Sequence, residues 1–266
     1  MLFDDFSYSM SSQMPSNGWY VRSGGGGPGA ANGTWSADYV SFYDDSDASS
    51  PNNKIMRMKA STQGAGGPTV QSQVTFDGGY IKGTYAARVY FNNDPISGPD
   101  GDHIVETFYT ITPLEFDNDP DYSELDFEYL ANGGWGTGDS TMFLTSWETY
   151  QPDPWVADNT HDFLSDDYSG WHVLMMQVDD DEIRYYIDKD LVATHSGKYY
   201  PETPMSINFN IWFIDTGFIN NTEERVYEQE VDWLYFAKDQ IISVEYIVEQ
   251  VVIQRMENAV FVDTTD

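Results

Sequence analysis

The 266-residue chain has no cysteine. That excludes a disulfide framework and any thiolate-ligated zinc or iron site, and it leaves the redox compartment open. Only 4 histidines are present, and they are scattered, which argues against a histidine-rich metal cluster. Basic residues are also scarce: 12 Lys and Arg face 44 Asp and Glu, for a net charge of −32. A field of that sign repels nucleic acid and anionic membrane surfaces, so neither is expected as a partner. It equally disfavours sulfated or uronic polysaccharides, which are best held by Arg and Lys. No apolar run is long enough to span a bilayer. The opening Met1-Leu-Phe-Asp-Asp-Phe6 is acidic and does not read as a secretory signal. No repeat of fixed period and no low-complexity linker divides the chain.

Aromatic residues, by contrast, are abundant at 16% of the chain, and they accompany short alternating runs. Lys54–Met58, Val70–Phe76, Thr84–Phe91, His103–Ile111 and Thr141–Tyr150 each read as a strand. Turn chemistry separates them at Asp77-Gly78-Gly79, Asn92-Asn-Asp-Pro95 and Ser97-Gly-Pro-Asp-Gly101. Many short strands with such turns predict an all-β jelly-roll sandwich of two antiparallel sheets. From Ser243 the pattern changes. Val244, Ile247, Val248, Val251, Val252 and Met256 recur at helical spacing, with Ser243 placed as a cap. The expected organisation is a β domain over residues 1–240 and an amphipathic helix and tail over 241–266 packed on it.

The stretch that organises the chain is Tyr122-Ser-Glu-Leu-Asp-Phe-Glu-Tyr-Leu130. As a strand it turns Glu124, Asp126 and Glu128 to one face and Leu125, Phe127 and Tyr129 to the other. Three like charges on one face repel, and covering that face costs desolvation as well. Stability alone rarely selects such a strand. Paired carboxylates are what glycosidic cleavage needs, one as acid and one as nucleophile or base. Same-face neighbours lie about 6.6 Å apart at Cα, so periodicity does not name the pair.

Met205–Phe213 has the clearest alternation in the chain. Met205, Ile207, Phe209, Ile211 and Phe213 form an apolar face, while Ser206, Asn208, Asn210 and Trp212 form the other. Amides beside a tryptophan match sugar recognition, by hydrogen bonds to hydroxyls and stacking on the ring. Trp135, Trp147 and Trp155 are further platform candidates, with ordinary packing as the competing reading, and Tyr109 is expected to reach the cleft. Glu106 has the opposite parity and reads as a structural carboxylate. Trp19 and Trp35 read as core or lid aromatics flanking the Gly24–Gly29 loop, and residues 151–169 as a polar loop. The acidic runs Asp44-Asp45, Asp166-Asp167 and Asp179–Asp181 read as solvated turns.

Glu-Leu-Asp-Phe-Glu resembles the Glu-x-Asp-x-Glu signature of glycoside hydrolase family 16, the laminarinase, lichenase and xyloglucan-transferase group. Gly83-Thr-Tyr-Ala-Ala-Arg88, Trp171-His-Val173 with Ile183–Asp188, Pro204–Trp212 and Val231-Asp-Trp-Leu-Tyr235 resemble other family stretches in the family's order. By that resemblance Glu124 is the nucleophile, Glu128 the acid/base, and Asp126 the residue that tunes them. The strand lacks the extra residue many laminarinases carry before the second Glu, as in the lichenase and xyloglucan-active branches. The resemblance implies a retaining endo-glycosidase acting on a neutral β-glucan, monomeric and secreted, with a polysaccharide as its partner. It implies no cofactor for the chemistry, and a structural calcium near Asp232. A transglycosylase using the same residues and a lectin-like binding module are the alternatives.

The charge excess points to a saline habitat, because self-repulsion at −32 is relieved by screening. The melting temperature is expected to rise steeply with KCl from low to molar concentration. A flat response in differential scanning fluorimetry would remove this reading.

Overall fold

Alternation at period two dominates the fold, as it does the sequence. A computed structural model describes residues 1–44 and 53–265, so Asp45 of the first acidic run falls outside the described residues. The strands in chain order begin with β1 (Leu2–Asp4), β2 (Trp19–Val21), β3 (Thr34–Trp35), β4 (Val40–Asp44), β5 (Lys54–Thr62), β6 (Thr69–Tyr80) and β7 (Gly83–Phe91). They continue with β8 (Ile104–Ile111), β9 (Glu124–Leu130), β10 (Thr141–Pro152), β11 (Trp155–Leu164) and β12 (Gly170–Asp179). The last are β13 (Glu182–Ile187), β14 (Asp190–Ser196), β15 (Met205–Phe213), β16 (Arg225–Lys238) and β17 (Phe261–Asp263). One helix, α1 (Val244–Met256), lies between the last two strands.

Two antiparallel sheets face each other as a jelly roll. The concave sheet runs β11–β10–β9–β8–β15–β6–β2. The outer sheet runs β14–β13–β12–β7–β16–β5–β4, with β1 and β17 added alongside the end of β16. Leu125 and Phe127 of β9 and all five apolar residues of β15 are fully buried between the sheets. Rings fill this interior: within the concave sheet Phe108 stacks on its cross-strand partner Phe209 at 5.1 Å, and across the layers Phe127 meets Tyr185 edge-on at 5.3 Å. Burying each such side chain contributes roughly 1.5–3 kcal/mol. Glu106 faces this interior as its parity requires. It accepts a hydrogen bond from the Asn92 N–H at 3.3 Å, and burial holds its carboxyl well above the usual range.

Two expectations change. Residues 155–164 form the edge strand β11 and not a loop. The helix begins where expected, with Ser243 Oγ accepting from the Tyr246 N–H at 3.3 Å. Its buried residues, however, are Val244, Ile247, Val251 and Arg255, while Val248, Val252 and Met256 are exposed. The apolar side chains therefore lie on both sides of α1, and the inward stripe ends in an arginine.

That arginine explains Asp232. The β16–β7 register slips between Val231 and Trp233, so Asp232 sits at a bulge, nearly fully buried on the outer sheet. Its carboxylate accepts from Arg255 at 2.6 Å, Arg88 at 2.7 Å and Asn53 at 2.9 Å. Calcium needs six to eight oxygens. Here two guanidinium groups and an amide N–H already occupy the carboxylate, so the donor set does not fit the calcium expected near Asp232. Burial penalises this carboxylate, but the Arg255 charge and the hydrogen bonds around it outweigh that and hold its pKa below the usual value. Removing one partner of a buried ion pair costs about 3–5 kcal/mol. Arg255→Ala is expected to lose about 3 kcal/mol, several degrees in melting temperature. Chelator at fixed ionic strength should leave the wild-type melting temperature unchanged, and a chelator-induced drop would restore the calcium site.

Candidate active site

The outward residues of the concave sheet line a cleft of about 820 Å³. β9 lies near its middle, paired with β8 and β10 without a register shift, so the strand is unbulged as the sequence implied. Continuous pairing places Glu124 beside Ile111 and Trp147, Asp126 beside Tyr109 and Thr145, and Glu128 beside Thr107 and Phe143. Alternation thus brings all three carboxylates onto the cleft floor. Asp126 is buried, while Glu124 and Glu128 are half-buried.

The row is not symmetric. Glu124 Oε2 accepts a hydrogen bond from the Tyr122 hydroxyl. Asp126 accepts from the Trp147 indole N–H at 3.0 Å. Burial raises the Asp126 carboxyl well above the ordinary range, and the charges of Glu124 and Glu128 and a hydrogen bond shared with Glu124 add to this. Burial lifts Glu124 to about 7, held back by the donors Tyr122 and Asp126. Glu128 is lifted further, to about 8, by burial and then by the Glu124 charge. Among the described residues no protein donor reaches the Glu128 carboxyl. One end of the row is tied down and inclined to ionise, and the other is untethered and inclined to hold its proton.

Most of the expected aromatic residues converge on this row. Trp135 and Trp155 line the cleft and stay 46% and 63% exposed, as platforms must. Trp135 sits 6.0 Å from Trp212 and 5.4 Å from Phe143, forming one aromatic group. Trp147, Tyr150 and Trp155 form a second, with Tyr122 edge-on to Tyr150 at 5.2 Å. The Trp147 indole N–H is committed to Asp126, so one edge of that ring faces the carboxylate row. Asn210 lines the cleft. Its amide donates to the Tyr109 hydroxyl at 3.1 Å and its oxygen accepts from Thr107 at 2.7 Å. Asn208 is corrected: it shares that face but is buried, hydrogen-bonded to Ser206, and does not line the cleft.

Several lining residues went unrecognised in the sequence. Tyr122 and Phe143 had a usable signal, since each shares parity with residues already singled out. Asn159 and His161 lie on β11, and no alternation marked that strand. Arg22 also lines the cleft, the one Lys or Arg among the described residues to do so, from a position preceding the Gly24–Gly29 loop. It stacks on Trp35 at 4.2 Å and donates to Gln73 at 2.8 Å and to the Gly27 carbonyl at 2.9 Å.

Comparison with known proteins bears on the family and the fold. The model of Glycosyl hydrolases family 16 matches residues 31–235. The chain belongs to that family. It is therefore a glycoside hydrolase, and the family's chemistry calls for no cofactor. Among solved structures it resembles a Bacillus licheniformis β-glucanase at 17% identity and TM-score 0.63, covering 89% of this chain and 97% of that one. A β-1,3-1,4-glucanase (lichenase) from a mouse hindgut metagenome aligns at 19% identity and TM-score 0.62, over 89% and 98%. A laminarinase from Flavobacterium sp. UMI-01 aligns at 12% identity and TM-score 0.61, over 90% and 99%. Identities this low establish the fold. No curated protein matches the sequence.

Proposed function

We propose that this family 16 enzyme is a retaining endo-hydrolase of a neutral β-linked glucan, 1,3 or mixed 1,3-1,4. The observation that carries this reading is the asymmetric carboxylate row on the floor of an open, aromatic-walled cleft. Glu128 has the untethered carboxyl and the higher affinity for its proton, which suits a general acid. Glu124 is held by two donors that favour its ionised form, which suits a nucleophile.

Two balanced steps follow. First, a Glu124 oxygen bonds to the anomeric carbon as the glycosidic C–O bond breaks, and the Glu128 proton passes to the leaving oxygen. Next, water attacks the same carbon and gives a proton to Glu128, and the Glu124 ester bond breaks. Two inversions give net retention. Asp126 lies between the pair on the same strand face, and its hydrogen bond from the Trp147 indole orients it. The aromatic groups beside Glu124 and Glu128 supply platforms for sugar rings on either side of the bond. A chain lying across an open groove is cut internally.

The neutral substrate class is supported by the cleft's donors, mainly amides, hydroxyls and indoles, and by the scarcity of basic residues. Arg22 is the exception, and its observed partners are a neutral amide and backbone carbonyls. Transglycosylation on the same site is the second reading, because exposed Trp155 and Trp135 offer places for an acceptor sugar. A polymer-degrading enzyme meets its substrate outside the cell, so a secreted, salt-adapted protein is part of the proposal.

Glu124→Ala should abolish hydrolysis, and azide should restore turnover with an α-glycosyl azide as product. Glu128→Ala should lose about 10²–10⁴-fold on polysaccharide and give a β-glycosyl azide from substrates with good leaving groups. Proton NMR should show the β-anomer first. The kcat/KM profile should be bell-shaped, falling on the acid side as Glu124 is protonated and on the alkaline side as Glu128 loses its proton. Swapped azide products would reverse the roles. Activity on carrageenan or porphyran, with none on laminarin, lichenan or xyloglucan, would overturn the substrate class.

A further inference from the structure

The Tyr122 hydroxyl is committed to a carboxylate that the reaction repeatedly charges and discharges. Tyr122 precedes β9 by two residues and shares the parity of Glu124. Both side chains line the cleft, Tyr122 from the end of the turn that leads into β9 and Glu124 from its first residue. The ring is only 2% exposed and is braced edge-on by Tyr150 at 5.2 Å, so it has little freedom to turn away. Its hydroxyl donates to Glu124 Oε2, and the carboxylate's two oxygens keep further lone pairs for Asp126 and the substrate.

We infer that Tyr122 is a positioning residue that holds Glu124 ionised and in its attacking rotamer, and that speeds its departure from the glycosyl-enzyme. This rests on the role proposed for Glu124. A hydrogen bond to a charged acceptor is roughly twice as strong as one to a neutral acceptor. In free enzyme the acceptor is a carboxylate, and the bond is at full strength. Once Glu124 forms its ester bond to the anomeric carbon the charge is gone, and the bond weakens. As water attacks and that ester bond breaks, the charge returns to Glu124 and the tyrosine stabilises it. Tyr122 thus lowers the barrier to the second step. The phenol proton stays on its oxygen throughout; in this step water bonds to the anomeric carbon and gives its proton to Glu128 as the Glu124 ester bond breaks.

The sign for pH follows. A donor to the ionised form lowers the pKa of Glu124, so losing the donor raises it. The acid limb of kcat/KM then moves to higher pH.

The test is Tyr122→Phe, with melting temperature and circular dichroism checked against wild type. The substrates are whichever of lichenan or laminarin the wild type cleaves, and the 2,4-dinitrophenyl glycoside of its disaccharide. The acid limb is expected to move up by about one pH unit. On the activated glycoside kcat should fall about tenfold, with the glycosyl-enzyme accumulating in intact-mass spectra during turnover. A purely packing role would lower activity at all pH values and leave the limb in place. If Tyr122→Phe does not fold, 3-fluorotyrosine incorporated at 122 keeps the ring and strengthens the donor, and the limb should move down instead. An unmoved limb, in a protein whose Glu124→Ala variant is inert and rescued by azide, overturns the inference alone. Failure of that azide rescue would remove the Glu124 role beneath it.

Discussion

Mutual repulsion among Glu124, Asp126 and Glu128 is the constraint on which the rest of the site depends. A strand that turns three carboxylates to one partly buried face cannot keep all three ionised. The structure answers with unequal surroundings. Trp147 donates to Asp126, Tyr122 donates to Glu124, and Glu128 is left alone. The same protons that distinguish the three carboxylates also weigh on stability. Their folded pKa values are raised, so the folded chain binds protons that the unfolded chain has released. Stability is therefore lost as pH rises from the ordinary carboxylate range toward the folded values. The fully buried Leu125 and Phe127 on the opposite face of the same strand hold β9 in place against that cost.

Alternation made much of this legible before any coordinates. On β9 and β15 a period of two separates a dry face from a polar one, and both separations hold in the structure. The signal fails where neither face is dry. β11 is an edge strand with Trp155, His161 and Phe163 exposed on one face and Val156 and Asp162 exposed on the other, so hydropathy shows no contrast between them. It fails on α1 for a related reason: the helix carries apolar residues all round, and spacing alone does not say which ones pack inward. Tyr122 was visible by parity but silent on its partner, because a hydrogen bond to Glu124 depends on how far a side chain reaches. Arg22 was hidden by topology, since nothing in sequence ties it to strands that follow much later.

Charge is distributed with the same economy. Among the described residues most basic side chains already face a carboxylate, as Arg255 and Arg88 face Asp232 and as Arg225 grips Asp102 in a fully buried pair. The Asp232 cluster ties α1 to the bulge in β16 through two guanidinium groups. The Arg225–Asp102 pair fastens the chain before β8 to the start of β16. Both pairs lie away from the cleft, leaving neutral donors and Arg22 to face the substrate.

The asymmetry of the row also accounts for how one carboxyl serves as acid and then as base. In free enzyme the Glu124 charge is one of the two causes that raise Glu128, after burial. Under the proposed roles, forming the glycosyl ester erases that charge while burial persists. The pKa of Glu128 then falls toward the value that burial alone sets, and having given up its proton the group is no longer pressed to take it back at once. When water attacks, charge returns to Glu124 as Glu128 accepts a proton, and the repulsion that favours a protonated Glu128 is restored. The nucleophile's covalent state thus tunes the acid/base through a Coulomb interaction along a single strand face. No movement of the backbone is required, which fits a β9 paired without a break on both sides.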